Sequence, residues 1–238
     1  MHNLGQTRSS VKRDHLLQTP DTFVRTVLPG MERATAVVHA GPALGAHFTQ
    51  YTAEIEADGR LGDCGMQRLV YVLEGSIEVL DQGGLTAGAY AYLHEGSSTD
   101  LRAESASRLA VIEKPYEKLE DTEAPESFMA REEDSPSNFL GDDPALEVRT
   151  LLPAGVKYDF AVNTMTYQPG ASLSMVEIHV MEHGLLMLEG GGIYRLGDSW
   201  YPVTAGDFIW MAPYCPQWFG ALGKMPAKYL IYKDWNRR

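Results

Sequence analysis

The chain has 238 residues, 44% of them hydrophobic and 22% charged, with a formal net charge of −12. That length suffices for one large or two small domains with real cores. An acidic balance without a basic block works against nucleic-acid binding, and no apolar run reaches the ~20 residues that span a bilayer. The N-terminus, Met-His-Asn-Leu-Gly-Gln-Thr-Arg, lacks the basic-then-apolar layout of a secretory signal, so a cytoplasmic location is expected. Cys64 and Cys215 are far apart and form no C-x-x-C pair, which predicts reduced thiols packed as small apolar side chains.

Short β-rich runs separated by Gly, Asp and Pro dominate, and helical periodicity is scarce; this is the pattern of an all-β barrel or sandwich. After an N-terminal arm at 1–22, strands are predicted over 35–38, 48–55, 68–73, 76–80, 89–93 and 108–112, giving a first barrel at 23–115. The acidic excess concentrates between Glu113 and Asp143, and 116–145 reads as an exposed acidic linker. Strands over 160–167, 174–180, 185–188, 192–196, 199–203, 208–212, 217–221 and 228–232 give a second barrel at 146–238. The halves echo each other. Tyr-Val-Leu-Glu-Gly-Ser-Ile-Glu-Val at 71–79 parallels Leu-Met-Leu-Glu-Gly-Gly-Gly-Ile-Tyr at 186–194, and Leu-Thr-Ala-Gly-Ala-Tyr-Ala-Tyr-Leu at 85–93 parallels Val-Thr-Ala-Gly-Asp-Phe-Ile-Trp-Met at 203–211. An internal duplication at domain length follows.

The second half carries the chemistry. Between Gly170 and Gly184, Glu177, His179 and His183 form an E-x-H-x-x-x-H pattern. On a strand, Glu177 and His179 would project to one face and Ile178 and Val180 to the other. His183 follows a short Met-Glu turn and can return to the same point. One carboxylate and two imidazoles converging inside a β-structure suit a divalent metal. The strand 228–232, continued to Lys233, puts Tyr229, Ile231 and Lys233 on one face, and Tyr194 lies on the strand after Gly190–Gly192. A buried lysine needs an anionic partner, although snorkelling to solvent competes for Lys233 and packed aromatics with satisfied hydroxyls compete for the tyrosines. His2, His15, His39 and His47 have no partner at ligand spacing and read as packed or exposed.

Leu-Glu-Gly followed by a strand and then Ala-Gly-Asp resembles the two motifs of the cupin superfamily. The resemblance implies tandem antiparallel jelly-roll barrels, a bicupin, with three metal ligands before the first motif's glycine and a fourth after the second's. With Gly190 and Gly206 in those places, Glu177, His179 and His183 fall in the first three slots and Gln217 in the fourth. The usual order is His, His, Glu, His; here it is Glu, His, His, Gln. Such a site keeps a positive charge and attracts a small anionic chelating substrate. Donors without a thiolate suit Mn²⁺, Fe²⁺, Ni²⁺ or Zn²⁺; because Zn²⁺ prefers tetrahedral closure and the substrate needs open positions, Mn²⁺ is favoured, one per chain. In the first half the same slots hold Gly62, Cys64, Arg68 and Thr99, which predicts a metal-free barrel.

A narrower resemblance rests on Glu-Ile-His-Val-Met-Glu-His-Gly, Gly-Ile-Tyr-Arg-Leu-Gly-Asp-Ser-Trp-Tyr-Pro-Val, Ala-Pro-Tyr-Cys-Pro-Gln-Trp and the terminal Tyr-Leu-Ile-Tyr-Lys-Asp-Trp-Asn-Arg. These runs look like the (S)-ureidoglycine aminohydrolase family, bicupins of purine (allantoin) breakdown. The resemblance implies Mn²⁺ ligated by Glu177, His179, His183 and Gln217, substrate contacts from Tyr194, Tyr229 and Lys233, and release of ammonia from (S)-ureidoglycine to leave (S)-ureidoglycolate. Tyr229, Lys233 and Glu177 are the candidates for moving the proton. A cupin dioxygenase using Fe²⁺ or Ni²⁺, and a non-catalytic bicupin binding small acids, are the competing readings. The glutamine and Lys233 argue against the first, and the complete ligand set against the second. A degenerate barrel kept beside an active one often supplies an interface, so a homo-oligomer is expected.

Overall fold

The computed structural model describes residues 6–79 and 82–234. Position 80 of the strand predicted over 76–80, and 235–237 of the terminal motif, lie outside them. The chain is almost entirely β and divides into two compact units, Met1–Phe23 with Pro136–Ala154 and Phe160–Arg238, and Val24–Ser135 with Gly155–Asp159. No helix among the described residues is long and apolar enough to cross a membrane.

In the unit holding the C-terminal residues, an eight-stranded antiparallel sheet runs in the order Ser10–Val11, His15–Gln18, Phe208–Met211, His183–Glu189, Ala227–Lys233, Ala161–Tyr167, Leu146–Thr150, Ser137–Phe139. A three-stranded sheet, Ser199–Thr204, Gly191–Leu196 and Gln217–Ala221, supplies the other wall. Period-two alternation sends Met165, Tyr167, Leu185, Met187, Tyr194, Phe219, Tyr229 and Ile231 into one core. In the other unit the long strand Thr49–Leu61 pairs with Ser107–Lys114 and Met31–Ala40 and closes a second core around Tyr51, Val70, Val72 and Val111.

The two repeated glycines do the same work in each unit. Gly75 and Gly190 both have positive φ (84° and 63°), and a Cβ on either would stand 2.4 Å and 2.3 Å from Ser107 Oγ and the Pro226 carbonyl. Only glycine fits such a turn.

Parts of the stretches read as arm and linker are paired into the sheets. His15–Gln18 pairs with Phe208–Met211 inside the eight-stranded sheet, and Phe128–Arg131 pairs with Ala89–Leu93 in the other unit. Glu132 is buried and accepts a hydrogen bond from the Tyr71 hydroxyl. Glu113, at the head of the acidic stretch, is buried in the first core's wall.

His39 is also buried, with Nε2 2.8 Å from Thr52 Oγ1, and burial pushes its pKa from 6.5 down to about 3. The folded state therefore keeps this ring neutral while the unfolded chain protonates below pH 6.5. The stability it contributes is whole above that pH and is lost as pH falls from 6.5 towards 3. Between pH 7.5 and 5.0 we expect His39 to account for about 2 kcal/mol of lost stability. Urea midpoints at the two pH values, compared with His39→Gln, read this directly; an equal acid loss in the variant would refute it.

Candidate metal centre

The segment 174–180, expected as a strand, is not one. It touches the neighbouring strand through one isolated bridge, Glu177 with Gln217, and a second, Ser172 with Gly220, stands just before it. The reason lies in the partner. Pro216 has no amide to donate, and Tyr214 sits at φ 63°, so the chain turns away just before Gln217. Glu177 and Gln217 exchange both main-chain hydrogen bonds (2.8 and 2.9 Å), and the Tyr214 amide caps the His179 carbonyl at 2.7 Å. The alternation survives without the ladder: Glu177 and His179 are half-buried, whereas Val176, Ile178 and Val180 are exposed.

This backbone brings Glu177 beside His179 and pairs it through the main chain with Gln217. Glu177 Oε2 lies 3.0 Å from His179 Nε2, and the His179 and His183 rings stand 5.3 Å apart, nearly perpendicular. His183 begins the strand His183–Glu189 and is buried, and neither ring nitrogen makes a hydrogen bond among the described residues. Burial first, then the neighbouring Lys233 and His179, push its pKa to about 3; the Tyr232 backbone opposes this, approaching the ring outside hydrogen-bond geometry. Gln217 is buried, and its Oε1 accepts from the Tyr194 hydroxyl at 2.9 Å.

Lys233 pairs directly across from His183 on the adjacent strand. Burial lowers its pKa and the Glu177 carboxylate opposes that. Tyr229, four residues earlier on the same face, is fully buried. Burial drives the pKa values of Tyr194 and Tyr229 well above the ordinary tyrosine value, so both hydroxyls stay protonated. The sequence reading missed Tyr167, whose hydroxyl lies 2.8 Å from that of Tyr229; the register of Ala161–Tyr167 against Ala227–Lys233 brings them together, and sequence spacing carries no sign of it.

A buried imidazole with both nitrogens unpartnered is costly in a protein interior. The His179 ring lies beside it and the Glu177 carboxylate lies beside His179, and all three are groups that ligate divalent cations. The donor set therefore fits a metal ion, with the Glu177–His179 hydrogen bond giving way to it. In the unit containing Val24–Ser135, Arg68 stands at the position matching His183 and is bound to Glu113, the partner directly across, through Nε at 2.8 Å and Nη2 at 2.7 Å.

Two jelly-roll barrels, one bearing this donor set, define the cupin class, and residues 163–232 match the cupin domain family. The chain is 42% identical to the (S)-ureidoglycine aminohydrolase of Arabidopsis thaliana, covering 98% of this chain and 80% of that one. It is 31% identical to the enzyme of the same name from Escherichia coli (strain K12), over 99% and 94%. The crystal structure of the E. coli protein Ylba superposes with a TM-score of 0.85 at 28% identity, covering 98% of this chain and 96% of that one. The chain belongs to the (S)-ureidoglycine aminohydrolase family, hydrolases acting on a carbon–nitrogen bond.

Proposed function

We propose that the second barrel hydrolyses (S)-ureidoglycine, with Glu177, His179, His183 and Gln217 holding one Mn²⁺ and the first barrel metal-free. The observation that carries this reading is the imidazole of His183, buried without a hydrogen-bond partner beside the His179 ring. When bound, the cation supplies Lewis-acid polarisation and neutralises charge at the reacting carbon. The chain's own groups do the rest. Lys233, facing His183 across the sheet, holds the substrate carboxylate by a charge-assisted bond. The Tyr194 and Tyr229 hydroxyls, locked in the protonated form, act as hydrogen-bond donors and not as bases. The aromatic wall of Tyr167, Tyr194, Phe219 and Tyr229 excludes bulk water and strengthens these contacts. Holding the substrate at separate points fixes which face of its central carbon the water meets. The carbon–nitrogen bond breaks, a carbon–oxygen bond to water forms, and ammonia and (S)-ureidoglycolate leave.

This reading places the protein in purine (allantoin) catabolism, in the cytoplasm and as a homo-oligomer. The test is a manganese-loaded preparation supplied with ureidoglycine, with ammonia, chiral ureidoglycolate and dissolved oxygen followed together. Ammonia and the (S)-product at constant oxygen are expected, and Glu177→Ala should lose bound manganese and turnover together. Oxygen consumption, or a Glu177→Ala protein that keeps both metal and rate, would overturn the assignment.

A further inference from the structure

Among the described residues, the one trio of His, Cys, Asp or Glu donors drawn within 4.8 Å of one another is not the set above but Asp14, His15 and Cys215. We propose that these three form a second metal site, which takes a soft divalent cation, zinc foremost.

The scaffold is fixed from three directions. His15 opens the strand His15–Gln18 and pairs with Met211. The Ala212 amide donates to the Asp14 carbonyl at 2.9 Å, tying that strand to the loop that carries Cys215, and the Gly197 amide donates to the Pro216 carbonyl at 2.8 Å. At Gly197 the chain has φ 57°, and a Cβ there would come 3.1 Å from Asp14 Oδ2. The glycine keeps that turn's side-chain space open beside the carboxylate.

The donor geometry suits a small cation. Asp14 Oδ1 and His15 Nδ1 are 2.9 Å apart, the separation that ligands about 2.0–2.1 Å from a common ion show at roughly a right angle. Opening to a tetrahedral angle needs only a few tenths of an ångström, and Asp14, the half-exposed member, is free to give it. His15 Nε2 meets the Tyr201 hydroxyl at 2.9 Å, and that hydroxyl donates onward to Ser10 Oγ at 3.3 Å. In the metal-bound form the proton that Nδ1 gives to Asp14 moves to Nε2, which donates it to Tyr201, and the freed Nδ1 lone pair points into the trio, the second-shell arrangement that orients a metal-bound histidine. Metal binding thus replaces the hydrogen bond between Asp14 and His15 and releases the Cys215 thiol proton to solvent.

Charge and softness choose the ion. One carboxylate, one thiolate and one neutral imidazole balance a divalent cation to zero, which suits a site where His15 and Cys215 are almost fully buried. The thiolate favours zinc over manganese, whereas the set around His183 has no sulfur. Asp14 leaves a solvent-facing side through which the ion enters and a water completes the coordination. Because Cys215 lies two residues before Gln217 on one loop, the ion would pin that loop to the strand starting at His15.

The test is a cobalt titration of metal-stripped full-length protein, followed by the thiolate-to-cobalt charge-transfer band in the near ultraviolet. The band is expected in the wild type and in Cys64→Ser, which removes the other thiol, and is lost in Cys215→Ser. Asp14→Asn, isosteric and half-exposed, keeps the fold and should weaken cobalt binding at least tenfold by the same signal. A wild type without the band, a band unchanged in both Cys215→Ser and Asp14→Asn, or one lost only in Cys64→Ser would overturn the site. None of these readouts depends on turnover.

Discussion

Metal-free His183→Leu protein is expected to unfold at a higher urea concentration than metal-free wild type, while binding no manganese at the proposed centre and hydrolysing no ureidoglycine. Stability and function should move in opposite directions because one ring has opposite roles in the two states. Without a cation, its nitrogens are buried and unpartnered, and each such group costs about 1–3 kcal/mol. Leucine fills similar space without them, so a gain of about 1–3 kcal/mol is expected. With manganese present the order reverses. The wild type gains about 2.7 kcal/mol at a metal concentration a hundred times Kd, and the variant gains nothing. Paired urea curves with and without manganese provide the measurement. A metal-free variant less stable than wild type would mean that His183 is already satisfied and that the metal reading has lost its main support.

The barrels were legible because they are written in local pattern. Short β-rich runs between turn residues mark Ala89–Leu93 and Gln217–Ala221 to the residue, and the repeated Leu-Glu-Gly and Ala-Gly runs mark the duplication through their glycine turns. Glu177 and His179 keep their shared face, as alternation predicts, but not their strand. What ends the strand is Pro216 and the left-handed Tyr214 on the partner chain, and a segment's own residues carry no record of its partner. The same holds for His15. Its partners Tyr201 and Cys215 come from remote parts of the chain, so no spacing rule could find them. Phe128–Arg131 and Ser137–Phe139 are short edge strands in a charged stretch; composition argues for solvent there, and only pairing with a longer neighbour makes them β. Asp207 shows the converse. It belongs to the repeated motif, yet its visible work is structural: it is wholly buried, takes Arg8 through both carboxylate oxygens at 2.6 and 2.9 Å, and caps the Thr204 amide.

Glu113→Ala should destabilise the first barrel by about 3–5 kcal/mol, the usual consequence of removing one partner from a buried ion pair. Glu113 takes hydrogen bonds from Arg68 Nε and Nη2 and from the Tyr51 hydroxyl at 2.7 Å, and both Arg68 and Glu113 are nearly inaccessible to water. Alanine would leave a buried guanidinium held only by the Gly62 carbonyl and a buried phenol with no acceptor. Under the proposed function, in which this barrel holds no metal, the pair stands in place of an ion. Arg68 faces Glu113 at the register where the second barrel sets His183 against Lys233. A fixed cation and its anion thus occupy the place that the other copy keeps for exchangeable ones. If so, the charges are dispensable together though not singly: Arg68→Met with Glu113→Leu and Tyr51→Phe should recover most of the lost stability, since well-packed apolar groups often match a buried ion pair. Manganese bound per chain should stay unchanged throughout. Urea midpoints of the single and triple variants decide the matter, and a loss below about 1 kcal/mol in Glu113→Ala would place the pair among solvent-screened bridges and end the argument that it stands in for a metal.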